Sequence, residues 1–312
     1  MGIENIQNVL IVGGGMMGKG IAHIMSGLPA LKVTVYDIAD QDFTSGLRAT
    51  FDQLVQRGVL EAAEADARSA RVGFITSLDD TAVSGADLVI ECVFEDMALK
   101  QETFEKLEAR CRADCIFCTN TSVMSPTEIG SKLIHKQRLV GTHFWNPAYL
   151  IPLVEVVKTD STDDGVAETV LAFLKAAGKK AVLCNRDVPG FIANRMQHAL
   201  WREAIYIVEQ GIADAATVDE AVKNSFGLRL PQLGPLENAD MIGLDLSYNI
   251  HDYILKYLCD SHAPSPLLAD LKDKGALGFK SGHGFQSWSE EAMTESKSGL
   301  NDYLIDMLYA EK

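Results

Sequence analysis

Two side chains in this 312-residue chain are of types that move protons and stand at a spacing that could bring them together. His143 lies near the end of the strand-like run Leu139–Phe144, and Glu155, twelve residues later, lies in a second such run, Leu153–Val157. The turn between them carries Pro147 and Pro152 and could fold the two runs side by side. An imidazole titrates near working pH, and a neighbouring carboxylate would fix its tautomer and stabilise the imidazolium formed on proton uptake. Such a pair could deprotonate an alcohol. On periodicity alone, a core histidine and a satisfied buried glutamate fit these positions equally well. His23, His135, His198, His251, His262 and His283 read as helix or surface residues.

A second constellation supplies the partner for that chemistry. Gly13-Gly14-Gly15-Met16-Met17-Gly18 is a GxGxxG that follows the strand-like Val9–Val12 and opens a helical pattern. Glycines let the backbone turn tightly and approach a pyrophosphate, which then sits on the free N–H groups of the helix N-terminus. Gly13, Gly15, Met16, Met17 and Gly18 are therefore the candidate cofactor contacts. Asp37 closes the next strand 19 residues after Gly18, where a carboxylate can accept hydrogen bonds from an adenosine ribose. Ile38 and Ala39 follow, with no Arg or Lys to receive a 2′-phosphate, so NAD is expected rather than NADP. Gly13 to Lys19 also fits the start of a nucleoside triphosphate loop, but position 20 is Gly, where a Ser or Thr hydroxyl must bind magnesium. An enzyme that transfers hydride from an alcohol to NAD needs a base for the hydroxyl proton, and His143 is the candidate.

The elements that must position these groups are legible as short apolar runs: Val9–Val12, Lys32–Tyr36, Val72–Thr76, Asp87–Cys92, Cys115–Thr119, Leu139–Phe144, Leu153–Val157 and Ala181–Cys184. Helix-period segments such as Gly18–Ser26, Thr44–Val59, Ala98–Cys111 and Asp164–Ala176 lie between several of them. That alternation predicts an α/β, doubly wound parallel sheet with helices on both faces. From Pro189 the strand runs stop and Phe191–Gln210 holds a helical period, so the expected division is residues 1–187 and an all-helical domain over 188–312. The last segment places Leu300, Tyr303, Leu304, Met307 and Leu308 on one stripe that needs cover from its own domain or another subunit.

Composition bounds the partners. With 47% apolar and 23% charged residues the chain is an ordinary globular protein, and its net charge of −15 disfavours phosphate backbones and anionic lipid surfaces. No nucleic-acid or membrane partner is expected. The first nine residues lack the basic n-region of a signal peptide, and six cysteines are too sparse for a disulfide scaffold, so a cytoplasmic protein is expected. Cys111, Cys115 and Cys118 read as buried thiols rather than metal ligands.

The chain resembles the L-3-hydroxyacyl-CoA dehydrogenases. The resemblance rests on Gly13–Gly18 with Asp37, Glu95-Asp96-Met97-Ala98-Leu99-Lys100, Asn120-Thr121-Ser122, the block from Gly141 through Asn146-Pro147 to Val157, Pro189–Arg195, and Gly278–Phe285. It implies a Rossmann-like domain, a helical domain that forms a homodimer, and His143 as the base oriented by Glu155. It further implies that Ser122 and Asn194 bond to the substrate oxygens, that Glu95, Lys100 and Asn120 lie on the cofactor side, and that Asn146 supports the site. Taken singly, Ser122 reads as a turn hydroxyl, Asn194 as a helix polar residue and Lys100 as a solvated charge. The acyl carrier is where the motifs diverge. CoA-using relatives carry lysines in the segment that here reads Gln53 to Val59, with Arg57 alone basic, while Tyr149-Leu150-Ile151-Pro152 and Gly227-Leu228-Arg229 look like the carnitine and L-gulonate dehydrogenase branch. In that reading Arg229 anchors a free substrate carboxylate. Gly243-Leu244-Asp245 after Gly234-Pro235-Leu236-Glu237 looks like the acyl-CoA branch. A non-catalytic NAD-binding protein is a further alternative. A lysine-based dehydrogenase is disfavoured, because Phe191–Glu209 contains no Lys.

Overall fold

The computed structural model describes residues 2–39 and 42–309. Eight strands, β1 Asn8–Val12, β2 Lys32–Tyr36, β3 Val72–Ile75, β4 Leu88–Glu91, β5 Ile116–Thr119, β6 Leu139–Phe144, β7 Leu153–Lys158 and β8 Lys180–Cys184, form one sheet in the order β3-β2-β1-β4-β5-β6-β7-β8. The α-helices are α1 Met16–Met25, α2 Phe43–Gln56, α3 Ala62–Ala70, α4 Thr81–Ser84, α5 Met97–Glu108, α6 Pro126–Ile129 and α7 Asp164–Ala176, then α8 Ala193–Glu209, α9 Ala215–Lys223, α10 Pro235–Ile242, α11 Leu244–Ile254, α12 Pro266–Asp273 and α13 Glu290–Tyr309.

β1 shows how the sheet is held. Val9 and Ile11 face one apolar layer with Ile21 and Met25 of α1 and Phe51 of α2. Leu10 and Val12 face the opposite layer with Phe104 and Leu107 of α5 and Phe117 of β5. Every residue of β4, β5 and β6 is buried, which is why these strands read as continuous apolar runs instead of alternating ones. All neighbouring strands are parallel except β6 and β7, which pair antiparallel. The sheet is thus mostly parallel, as its doubly wound pattern predicts, with this one antiparallel pair. Only residues 145–152 join the two strands, and a parallel crossover needs a dozen residues or more.

The chain up to Arg195, and again from Leu300, makes one compact unit, while Met196–Gly299 makes a second. The start of α8 and the end of α13 thus pack with the sheet. The expected apolar stripe of the last helix is split. Leu304, Ile305 and Leu308 pack with Leu54 and Leu150 of the sheet unit, whereas Leu300, Tyr303 and Met307 are exposed. Ion pairs from Arg57 to Asp302, at 3.4 Å, and to Asp306 fix that side of the helix. In the helical unit, α9 is capped by Asp214 and α12 by Ser265. The Gly278–Phe285 segment folds back on itself through the Gly278 N–H, which donates to the His283 carbonyl at 2.6 Å, with Phe279 edge-on to Trp288.

Candidate active site

The antiparallel pairing of β6 and β7 sets His143 directly opposite Glu155, so register alone brings the two side chains together. Both are buried, and Nδ1 of His143 lies 2.8 Å from Oε2 of Glu155. The other carboxylate oxygen accepts the backbone N–H groups of Ile192 at 2.8 Å and Ala193 at 2.9 Å, where α8 begins. The Pro189-Gly190 turn aims these donors, with Gly190 at φ 76° and Phe191 at φ 50°. Burial by itself pushes the Glu155 carboxyl up. The hydrogen bond from His143, the Ala193 and Ile192 N–H groups and charge on His143 outweigh it and hold the group below the usual carboxylate range. An ionised carboxylate only accepts, so Nδ1 carries the proton in that bond, and whenever the ring is neutral Nε2 keeps its lone pair. Two aromatic rings neighbour the imidazole, Trp145 at 5.2 Å and Phe191 at 5.7 Å between centroids.

A polar network joins the remaining expected residues. Asn194 Nδ2 donates to the Ser122 carbonyl at 2.9 Å, and the Ser122 N–H donates to Glu95 Oε1 at 2.8 Å. The Thr121 hydroxyl donates to the same oxygen. Burial pushes the Glu95 carboxyl up, but the Thr121 hydroxyl, the Lys100 charge and the Ser122 N–H together hold it low. Ser122 itself is exposed, and its hydroxyl has no partner among the described residues. Asn120 is buried and its Oδ1 accepts the Phe144 N–H at 2.9 Å, tying the end of the His143 strand to β5. Asn146 is exposed and without a side-chain partner among the described residues. Arg229, in the helical unit, is also exposed and has no ion-pair partner among them.

Lys100 corrects the plain reading of a solvated charge. It is completely buried, and Nζ donates to Glu91 Oε1 at 2.7 Å and to the Val93 carbonyl at 3.3 Å, with Glu95 Oε2 also 3.3 Å away. Glu91, equally buried, accepts from the Thr119 hydroxyl and the Val93 N–H as well, while burial pushes its carboxyl up against these partners. Sequence reasoning missed Glu91. The available signal was a glutamate closing the otherwise apolar strand Leu88–Glu91, nine residues before a lysine. The flanking rings of Trp145 and Phe191 were missed too, as was His23, which is buried in α1 and stacked on Phe51 at 4.0 Å. Cys115 and Cys118 are buried and Cys111 is half-buried.

The glycine turn lies between β1 and α1, beside the point where strand order reverses from β2 to β4. Gly13 has φ 108°, and a Cβ there would stand 2.7 Å from the Cys92 carbonyl oxygen. A Cβ on Gly18 would stand 1.9 Å from the Gly13 carbonyl oxygen, so both positions exclude a side chain. At Gly15 a Cβ would meet nothing within 4 Å, which leaves open space in front of α1. That helix has no side-chain cap and no acid in its first turn, so its leading N–H groups suit an anion. Asp37 braces the turn by accepting the Gly14 and Ile38 N–H groups, each at 2.7 Å, and keeps lone pairs for a ribose diol. The donor set fits a dinucleotide diphosphate with an unmodified ribose.

Comparison with known proteins agrees with this geometry. Residues 8–188 match the family model of the 3-hydroxyacyl-CoA dehydrogenase NAD binding domain, and residues 190–288 match that of the 3-hydroxyacyl-CoA dehydrogenase C-terminal domain. A probable 3-hydroxybutyryl-CoA dehydrogenase of Bacillus subtilis is 36% identical over 92% of this chain and 99% of its own length. A 5-formyl-3-hydroxy-2-methylpyridine 4-carboxylate 5-dehydrogenase of Mesorhizobium japonicum is 32% identical over 92% of each chain. Among solved structures, a dehydrogenase described by that same activity superposes with a TM-score of 0.89 at 28% identity, covering 98% of this chain and 100% of the other. The (S)-3-hydroxybutyryl-CoA dehydrogenase of Ralstonia eutropha superposes with a TM-score of 0.77 at 30% identity, covering 92% and 100%. The chain therefore belongs to the 3-hydroxyacyl-CoA dehydrogenase family and is an NAD-dependent oxidoreductase.

Proposed function

We propose that the protein oxidises the L-3-hydroxyl of a 3-hydroxyacyl-CoA to the 3-oxo form, with the His143–Glu155 pair as general base. The observation that carries this reading is the 2.8 Å bond from His143 Nδ1 to a buried carboxylate that also accepts two backbone N–H groups, which leaves Nε2 free to take the hydroxyl proton. As the ketone forms, positive charge appears on the ring, and the buried Glu155 carboxylate stabilises it. Ser122 and Asn194 hold the reacting oxygen. Bound NAD supplies the acceptor for the hydride that leaves C3. Glu95 and Asn120 lie on the cofactor side, with Lys100 acting through its contact to Glu95, and Asn146 supports the substrate. The exposed apolar surface of the helical unit is covered by a second copy of the chain, and the six free cysteines suit the reducing cytoplasm.

A second reading keeps the chemistry and changes the substrate to a free hydroxy acid. Two observations favour it. Arg57, the one basic residue in the segment from Gln53 to Val59, is tied to Asp302 and Asp306, and Arg229 carries a guanidinium with no ion-pair partner among the described residues. The Mesorhizobium relative is named for a carboxylate substrate. Turnover of 3-hydroxybutyryl-CoA and of free 3-hydroxy acids in the wild type and in Arg229→Ala separates the two. The first reading expects CoA thioester oxidation that survives the change. The second expects free-acid oxidation that collapses with it.

A further inference from the structure

Asp187 fastens together two stretches of backbone that the reading above treats apart. Its Oδ2 accepts the Ser125 hydroxyl and, at 2.8 Å, the Thr127 N–H. Ser125 is itself the N-cap of α6, and its Oγ accepts the Glu128 N–H at 3.2 Å. The start of that helix is therefore capped before Asp187 is counted. Asp187 also keeps Oδ1 buried without a partner, and a buried carboxylate oxygen left so destabilises the fold. A carboxylate retained here, where a cap already exists, calls for a use beyond the local turn.

The two stretches it joins carry the site. Residues 120–125 connect β5 to α6 and hold Ser122. Residues 185–192 connect β8 to α8, and the Ile192 and Ala193 N–H groups at their end bind Glu155. Asn194 ties the Ser122 carbonyl and Glu95 ties the Ser122 N–H, but both of these belong to the substrate or cofactor side of the site. Asp187 meets protein instead, with Oδ2 taken up by Ser125 and Thr127 and Oδ1 buried. We infer that Asp187 is a positioning residue: it holds the Ser122 loop in register with the segment that anchors Glu155, so that the Ser122 hydroxyl and the His143 imidazole meet the same alcohol oxygen. Neither stretch is part of a strand or helix, so side-chain ties of this kind set their separation. A displacement of about 1 Å, caused by a change outside the chemistry, is enough to slow a reaction about 100-fold.

The inference rests on the hydroxyacyl reading, and Asp187→Ala and Asp187→Asn test it at saturating NAD with the hydroxy substrate that the wild type oxidises. Asp187→Ala is expected to lower kcat and kcat/KM together by roughly 10- to 100-fold and to leave NAD affinity unchanged. Asn keeps a carbonyl oxygen in the place of Oδ2, so Asp187→Asn should recover most of that loss. In a Ser122→Ala background, Asp187→Ala should lower kcat by a smaller factor than it does alone, because both changes act on one contact. An Asp187→Ala protein with wild-type kcat and only a lower melting temperature marks a structural cap and overturns the inference. So does an Asp187→Asn protein as impaired as Asp187→Ala, since the charge and not the carbonyl tie then matters. Losses that multiply independently with Ser122→Ala overturn it too. Should Asp187→Ala not fold, Ser125→Ala removes one of the two donors and must still lower kcat with NAD affinity retained; wild-type kcat there rejects the assignment. A wild type inert toward 3-hydroxybutyryl-CoA and free 3-hydroxy acids alike overturns the hydroxyacyl reading itself, whereas an active wild type matched by Asp187→Ala overturns only the role of Asp187.

Discussion

The sheet unit and the helical unit hold themselves together differently. In the first, β4, β5 and β6 are buried along their whole length and even a Lys–Glu pair lies in the dry interior. In the second, α9 through α12 contain no buried residue, and Leu236 and Tyr248 are 81% and 71% exposed. Apolar side chains at such density on a surface mark an interaction site. The dinucleotide turn and the His143–Glu155 pair are therefore set on a well-buried scaffold, while the helical unit leaves much of its apolar surface exposed.

The contrast is broken most sharply at Lys100. Lys100→Met leaves Glu91 buried without its cation and is expected to destabilise the protein by about 3–5 kcal/mol, read as a lower urea midpoint that does not depend on protein concentration. The double change Lys100→Met with Glu91→Leu should recover much of that loss. Acid sensitivity comes next, and it also belongs to the sheet unit. Burial first, then the Arg68 and Lys179 charges, lower the pKa of His23 from 6.5 to about 3. Below pH 6.5 the unfolded chain takes up a proton that the folded one refuses until about pH 3, so stability falls as pH drops through that window. The expected contribution is on the order of 5 kcal/mol, and His23→Phe should flatten the pH dependence of the urea midpoint there. The smallest effect is on the helical side. Tyr248→Asp should weaken self-association by about 2 kcal/mol, seen in sedimentation equilibrium as dissociation at higher protein concentration, with little change in the sheet unit. A wild type that sediments as a monomer at all concentrations would remove the contrast.

Much of this was legible in the sequence for a physical reason. Strands buried on both faces, as β4, β5 and β6 are, become unbroken apolar runs, the eight strands could each be read within a residue or two from their short apolar composition, and the GxGxxG with Asp37 marked the dinucleotide turn. The sense of β7 was also available, in the short connection over residues 145–152, but was not read. The burial of Lys100 and His23 was not legible, because a charged or titratable side chain on a helix looks the same in sequence whether its face meets water or a core. The last helix was legible as an apolar stripe, but not which part of it the sheet unit takes: Leu304, Ile305 and Leu308 pack there, while Leu300, Tyr303 and Met307 are exposed.

The central claim is that the His143 imidazole, with Nδ1 tied to Glu155, takes the proton of the substrate alcohol. Single-turnover formation of NADH by His143→Ala, at saturating NAD and hydroxyacyl substrate, tests it most directly. The account predicts a rate lower by about 10²- to 10⁴-fold with cofactor affinity retained; a rate close to wild type would contradict it.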